Sequence, residues 1–397
     1  MQPHKTQIMK YACYLQLLIF PLFILLIAPL TVAAQDDPLP VHNDTAIHFS
    51  SKIMAENRTL WIHLPPDYYT TTNTYPVLYL LDGDSHFDYG ARTADFLAGY
   101  DRNRVPGMIV VGVVNIDRGR DFTPVYGKKA GGRIDSTKIL TDTGAGLFLR
   151  YLEGEVLPYV DAHYRVQPYR ILAAHSLGGL FALYAKEKQP LLFPGMILTS
   201  PVISDQELGN LRAFLTGDHP HNGKLFFGIG NENTVKVDAL AAGLKRQAPG
   251  WFDWSNKKYD DENHFTAPFK TLFDGLKFIY RDWFIDFYGN ENLTMKDIDE
   301  RFAKLSAEFG YVISPSEDFL NSCGYYQMRL KHIDNAIGIF AENVKQHPNS
   351  FNAYDSLGEA YMNAGNKQMA IRNYKKSIEL NPHNDGGKQM LKKLSKP

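Results

Sequence analysis

The sequence predicts an α/β fold, a doubly wound and mostly parallel sheet followed by a small all-α repeat domain, on three observations. Several short segments are apolar at every position rather than at alternate ones: Val77 to Leu81, Met108 to Val114, Ile171 to Ala174, Met196 to Leu198 and Leu225 to Ile229. Such strands must be covered on both faces. Helix-like stretches lie between them, notably Gly144 to Tyr164 and Leu177 to Lys188, and this alternation is the pattern of a parallel sheet with helices on both sides. Beyond Ser314 the pattern is helical throughout and carries an internal period.

Taken in chain order, Lys5 and Lys10 precede an uncharged apolar run from Tyr11 through Ala34. A charged start, an apolar stretch and small residues at Val32 and Ala34 form a signal-peptide pattern with cleavage near Ala34 or Gln35. The run is also long enough to span a bilayer. Residues 1–34 are therefore expected to be removed on export, with an uncleaved membrane anchor as the alternative, and on both readings the body is secreted or periplasmic. The only cysteines are Cys13 and Cys323; cleavage removes the first, so packing rather than a disulfide must stabilise the mature chain.

Two strand candidates, His48 to Met54 and Thr59 to Leu64, precede the apolar series and fit an antiparallel edge. Residues 42–288 are expected to form the α/β domain. A connecting segment, 289–315, follows, with Thr294 as N-cap, Asp297 three residues on, and Met295, Ile298, Phe302, Leu305 and Phe309 at helical spacing up to Gly310. In 316–397 the pairs Gly324 and Gly358, Ala336 and Ala370, Phe340 and Tyr374, and Pro348 and Pro382 are each separated by 34 positions. That is the tetratricopeptide period, and the second copy places Tyr354, Leu357, Gly358, Tyr361, Ala370, Tyr374 and Pro382 where the repeat needs them. Two copies plus a capping helix, Asn384 to Leu394, make a short array that the α/β domain supports at its other end.

Lysine and arginine total 42 against 43 acidic residues, without long single-sign runs, so no electrostatic footprint for nucleic acid exists. His219 and His221 lack the spacing of a metal site, and Gly228 and Gly230 lack the third glycine of a dinucleotide loop. No cofactor or metal is expected.

The chemistry concentrates at Ala174-His175-Ser176-Leu177-Gly178-Gly179, which joins a strand to an apolar helix. A serine on such a sharp turn is presented as a nucleophile, and small residues around it let neighbouring elements pack close. His175 should point away and act structurally. A serine hydroxyl needs a base, and in this arrangement the base arrives late in the chain, after the last strand. Among thirteen histidines His264, in Asp261-Glu262-Asn263-His264, holds that position. The carboxylate that orients it should fall between the two. Glu232, in Gly230-Asn231-Glu232-Asn233 after a strand, is the first candidate and Asp238 the second, while Asp260, Asp261 and Glu262 read as surface charges.

Backbone N–H donors for a tetrahedral intermediate are expected from Leu177 and from Gly83 or Asp84 in Leu81-Asp82-Gly83-Asp84-Ser85-His86. Arg118 and Arg120, in the segment after the strand ending near Asn115, are candidates for substrate binding together with His86; the equal alternative is that the arginines brace their own loop.

With these residues in view, Leu80-Leu81-Asp82-Gly83-Asp84, Arg120-Asp121-Phe122-Thr123-Pro124, His175-Ser176-Leu177-Gly178-Gly179 and Asn263-His264 together resemble the esterase family of α/β-hydrolases that includes esterase D, siderophore esterases and mycolyltransferases. The similarity covers roughly Ile47 to Tyr288 and is strongest to siderophore-esterase-like hydrolases. It implies the nucleophile role for Ser176 and the base role for His264, with Glu232 matching the acid position approximately; some members resemble dyads. Relatives often carry a serine and tryptophans after a Ser-Pro, where this chain has Ser200-Pro201-Val202-Ile203-Ser204. That departure speaks against a siderophore-specific pocket.

The expected function is hydrolysis of a siderophore-like or other small or aromatic carboxylic ester through an acyl-serine, with repeats serving self-association, docking of a protein partner or shaping of the pocket. Acyl transfer from the same intermediate is the enzymatic alternative, and a non-catalytic adaptor built on the repeats is the alternative of another class. Mass spectrometry of the exported protein is expected to give a mature N-terminus near Gln35; retention of the apolar run would establish the anchor instead.

Overall fold

The computed structural model describes residues 43–69, 71–99, 102–128, 134–139, 141–216, 223–284 and 289–395. The N-terminal apolar run, Cys13, His219 and His221 lie outside the described residues.

Eight strands form one sheet. Strands β1 (Asp44–Ser51) and β2 (Glu56–His63) make the antiparallel edge, and β2 pairs antiparallel with β4 (Ile109–Val113). From there β3 (Tyr75–Leu80), β7 (Val166–His175), β8 (Gly195–Thr199), β9 (Gly223–Ile229) and β10 (Phe252–Lys258) continue in parallel, in the order β1-β2-β4-β3-β7-β8-β9-β10. A separate two-stranded ribbon pairs β5 (Tyr126–Lys128) with β6 (Ile134–Ile139).

The continuous apolar strands are covered as their composition requires. Val77 and Tyr79, Leu172 and Ala174, Met196 and Leu198, and Leu225, Phe227 and Ile229 face one core. Their neighbours Leu78 and Leu80, Ile171 and Ala173, Ile197 and Phe226 face the other. Successive side chains point to opposite faces of a sheet, so one apolar run supplies both cores. Helix α5 (Leu177–Lys188) fills the first core and is buried from Gly178 through Lys186, which explains why its apolar residues lack a single stripe. Helices α1 (Gly83–Ala98) and α8 (Ala267–Ile279) cover the second face.

The long helix expected over Gly144 to Tyr164 is α3 (Gly144–Tyr151) and α4 (Leu157–His163), joined by a π turn at Leu152–Val156. Glu155 in that turn accepts N–H bonds from Lys52 at 2.8 Å and Ile53 at 3.1 Å, so the extra residue aims a carboxylate at the β1–β2 turn.

Helix α9 (Met295–Phe309) starts on a capping box between Thr294 and Asp297 and stops at Gly310 in the left-handed region. It is no free connector. Ile298, Phe302, Leu305 and Phe309 belong to the second core, with Leu320 and Cys323 of α10 (Glu317–Arg329). The Phe309 ring lies 4.9 Å from those of both Tyr169 and Tyr280, and Lys224, 5% exposed, donates to the Ile279 carbonyl at 2.6 Å and pairs with Glu308. Tyr169 and Lys224 stand near the starts of β7 and β9, so the repeats attach at the N-terminal edge of the parallel strands.

Helices α11 (Ile333–Gln346), α12 (Phe351–Asn363), α13 (Lys367–Leu380) and α14 (Asp385–Leu394) complete the array. A Cβ at Gly324 would come within 2.5 Å of the Phe340 ring, and one at Gly358 within 3.2 Å of Tyr374. The same close approach thus recurs one period later.

Replacing Phe309 with alanine should remove roughly 3–5 kcal/mol of stability and open the shared core. Chemical denaturation should report the loss, and Cys323, fully buried with its thiol pushed up to about 12 by burial, should become reactive to thiol reagents. An unchanged midpoint would mean that α9 does not tie the two parts together.

Candidate active site

Parallel strands deliver their C-terminal ends to one edge, and loops leaving that edge from different strands converge on a shared crevice. Ser176 follows β7, Gly83 follows β3, the strand beside β7, Glu232 follows β9, and the loop bearing His264 follows β10. Sequence positions far apart are thereby brought to one place.

Ser176 has φ 55° and ψ −114°, a left-handed backbone that costs a non-glycine residue roughly 1–3 kcal/mol. The surroundings enforce it. Its N–H donates to the Thr199 carbonyl at 2.9 Å, while its own carbonyl accepts from Gly179 at 2.9 Å and from Val202 at 3.0 Å. A Cβ on Gly179 would lie 2.6 Å from Pro201, so the turn and the segment after β8 lock together only around that glycine.

Glu232 and His264 are joined. The His264 Nδ1–H donates to Glu232 Oε2 at 2.7 Å, which turns Nε2 away from the carboxylate. Backbone packing sets this meeting, since Asn231 N–H donates to the Glu262 carbonyl at 2.6 Å, and a Cβ on Gly230 would lie 2.8 Å from the Asn263 backbone. Asn263 Oδ1 accepts from the N–H groups of Phe265 at 2.8 Å and Thr266 at 3.2 Å, which fixes the turn into α8. No hydrogen bond joins Ser176 Oγ to His264; such contacts are often long until substrate binds. Of the other carboxylates weighed, Asp238 accepts from Thr234 Oγ1 at 2.6 Å, Asp260 pairs with Lys258, and Asp261 and Glu262 pair with Lys270.

Leu177 opens α5, and Gly83 and Asp84 open α1 on the adjacent strand. First-turn amides have no intrahelical acceptor. In α1 the Asp82 carbonyl takes the N–H groups of Ser85 and His86, so the amides of Gly83 and Asp84 stand outside that pattern. Two helix N termini with their partial positive charge therefore meet beside Ser176.

The arginines are committed to internal partners. Arg118 donates to Asp82 from Nε at 2.6 Å and from Nη2 at 3.2 Å, and to the His175 carbonyl at 2.9 Å. Arg120 holds Asp121 and Glu56, whose carboxyl it keeps below the usual range, and buried Arg58 completes that cluster through Asp121 at 2.8 Å. Bracing, the alternative held open above, is the geometry found. His86 also lies inward: its ring is 5.5 Å from that of His175, it lines a small cavity of about 20 Å³, and burial lowers its pKa.

His175 is more than filler. Its Nε2–H donates to the His264 carbonyl at 2.8 Å, and the two rings are 4.6 Å apart. Residue type at one position cannot reveal that contact, because its partner lies 89 residues away. The same holds for buried Asp82, in a left-handed conformation with φ 54°, whose carboxylate gathers Asn115 and Arg118.

A separate open groove of about 1080 Å³ lies between α1 and α8, with Tyr89, Phe96, Phe269 and Phe273 among its walls and neither Ser176, His264 nor Glu232 lining it. Phe265, next to His264, is 82% exposed. Among the described residues no cluster could hold a metal ion and no helix is long and apolar enough to cross a membrane.

Burial, and then the neighbouring imidazoles, push His175 down to about 4 from an ordinary 6.5. The unfolded chain takes up that proton at higher pH than the fold does, so this group's contribution to stability is complete above the ordinary value and is lost as pH falls toward about 4. In His175→Phe the drop in unfolding midpoint between about pH 7 and about pH 4.5 should become shallower than in the native chain. Parallel curves would show that His175 takes up no proton on unfolding.

Comparison with known proteins places the chain. The family model described as "Putative esterase" matches residues 51–266, more than half of the sequence, and a tetratricopeptide-repeat model matches 351–384. The chain is 33% identical over 161 residues to the ferri-bacillibactin esterase BesA of Bacillus subtilis (strain 168), covering 37% of this chain and 55% of that one. It is 28% identical over 149 residues to the uncharacterized protein YbbA of the same organism, covering 36% and 56%; the chain thus spans about half the length of the curated relatives it matches. Among solved structures, an IroE-like serine hydrolase from Shewanella oneidensis is 27% identical with a TM-score of 0.65, covering 77% of this chain and 99% of that one. An uncharacterised protein from Capnocytophaga ochracea DSM 7271 shares the fold at a TM-score of 0.62 and 15% identity, covering 88% and 99%. A strained serine turn at the C-terminal edge of a parallel sheet, within a sequence matched over most of that domain, makes this chain a member of the Putative esterase family.

Proposed function

We propose that this protein is an exported serine esterase that cleaves a small or aromatic carboxylic ester through an acyl-serine intermediate. The observation that carries the reading is the left-handed Ser176 at the same sheet edge as the His264–Glu232 pair. In this mechanism His264 Nε2 takes the Ser176 proton as Oγ attacks the ester carbonyl, and Glu232 stabilises the imidazolium through Nδ1–H. Leu177 N–H, with Gly83 or Asp84 N–H, receives the negative charge on the carbonyl oxygen. His264 then returns the proton to the leaving alkoxide, and a water molecule activated by the same base releases the acid.

Membership of the family supports ester chemistry, and one relative is named a ferri-bacillibactin esterase. The exposed Phe265 ring, 5.2 Å from that of His264, favours a planar ring as a binding partner. The repeats attach at the far edge. From Tyr169 to Ser176 along β7 is roughly 23 Å, which favours docking of a protein partner or a second copy over shaping of the pocket as their role.

A fluorophosphonate probe should label the native protein and fail to label Ser176→Ala. Turnover of an activated aryl ester should fall about 10³-fold or more in Ser176→Ala and in His264→Ala. Native protein that resists the probe and hydrolyses no activated ester would remove the esterase reading.

A further inference from the structure

We propose that Ser200 is a positioning residue for the acid of this site, holding the Glu232 carboxylate in the plane that His264 requires; the inference rests on the Ser176–His264–Glu232 reading above. Ser200 is the first residue after β8, the strand between those that carry Ser176 and Glu232. Its hydroxyl donates to Glu232 Oε1, while Oε2 accepts from His264 at 2.7 Å. A glutamate bound through one oxygen can rotate about its last bond and swing on the two others. Bound through both oxygens, it presents one orientation to the imidazole.

The backbone carries the second argument. Ser200 has φ 44°, a left-handed conformation unfavourable for serine, and is 5% exposed. Glycine would adopt it with less strain. The conformation is nonetheless latched, by the Ser200 N–H donating to the Gly228 carbonyl at 2.8 Å and by flanking Thr199 and Val202, which hold both backbone groups of Ser176. One four-residue segment, 199–202, therefore braces the nucleophile with its backbone and the acid with its side chain. Two neighbouring strands end in strained serines, and each hydroxyl then has a place in the same chemistry: one reacts, the other orients.

A hydroxyl that merely fills a hydrogen-bonding vacancy would affect stability but not turnover, so the test separates the two. The purified full-length chain is assayed on an activated aryl ester, with kcat and KM measured for Ser200→Gly, Ser200→Ala, Glu232→Gln and the double variant Ser200→Gly/Glu232→Gln. Ser200→Gly relieves the backbone and removes the hydroxyl; it should unfold at or above the native midpoint yet lose roughly tenfold to a hundredfold in kcat, with KM unchanged. Ser200→Ala should lose as much activity and also some stability. In the double variant the loss should equal that of Glu232→Gln alone, because Ser200 acts through Glu232. Native kcat in Ser200→Gly, or losses that multiply in the double variant, would overturn the proposal. Native activity in Glu232→Gln would overturn both it and the acid assignment, whereas native activity in Ser176→Ala would overturn the whole reading of the site.

Discussion

The left-handed turn at Ser176 is the constraint on which the rest of this molecule depends. A residue with a side chain does not hold φ 55° unless its neighbours leave no alternative. Here the neighbours are the C-terminal end of β8, the segment that follows it, and Arg118, which grips the carbonyl of His175 from the far side of the turn. Each depends on the sheet being assembled in its full order. The strained residue is thus a product of the completed fold, and the hydroxyl it exposes is held in place by several strands at once.

Around the turn, hydrogen bonds are arranged so that charged groups appear only where the chemistry needs them. His264 faces a carboxylate through one nitrogen and keeps the other free. His175, lying against the same ring, is kept uncharged by burial and donates to the loop that carries His264. A protonated His175 at that position would repel the imidazolium that the proposed mechanism forms at His264. Arg118 is neutralised by Asp82, so its positive charge is directed into the scaffold rather than toward the crevice.

The helical repeats share a core with the α/β domain instead of hanging from it. Helix α9 buries its apolar face beside Tyr169 and Tyr280, and the Lys224–Glu308 pair closes the same joint. Two repeats alone bury little apolar surface, so an array this short needs a neighbour to cover its end. Attachment at the N-terminal edge of the strands leaves the opposite edge free for loops, and one sheet therefore separates the repeats from the crevice.

The amino-acid order alone determined the fold class, the placement of most strands and helices, the repeat period and the residues at the serine turn, because these depend on local patterns: uninterrupted apolar runs, capping residues, a spacing of 34. It also singled out His264 and Glu232, through their places after successive strands. What it left open were the side-chain contacts. Whether Arg118 and Arg120 faced substrate or scaffold, that His175 supports the His264 loop, and that the Ser200 hydroxyl reaches Glu232 were decided only when strands distant in sequence lay side by side. Local periodicity records which face of an element is buried. A hydrogen bond between loops depends on the register and twist of every strand between them, and only the assembled sheet specifies those.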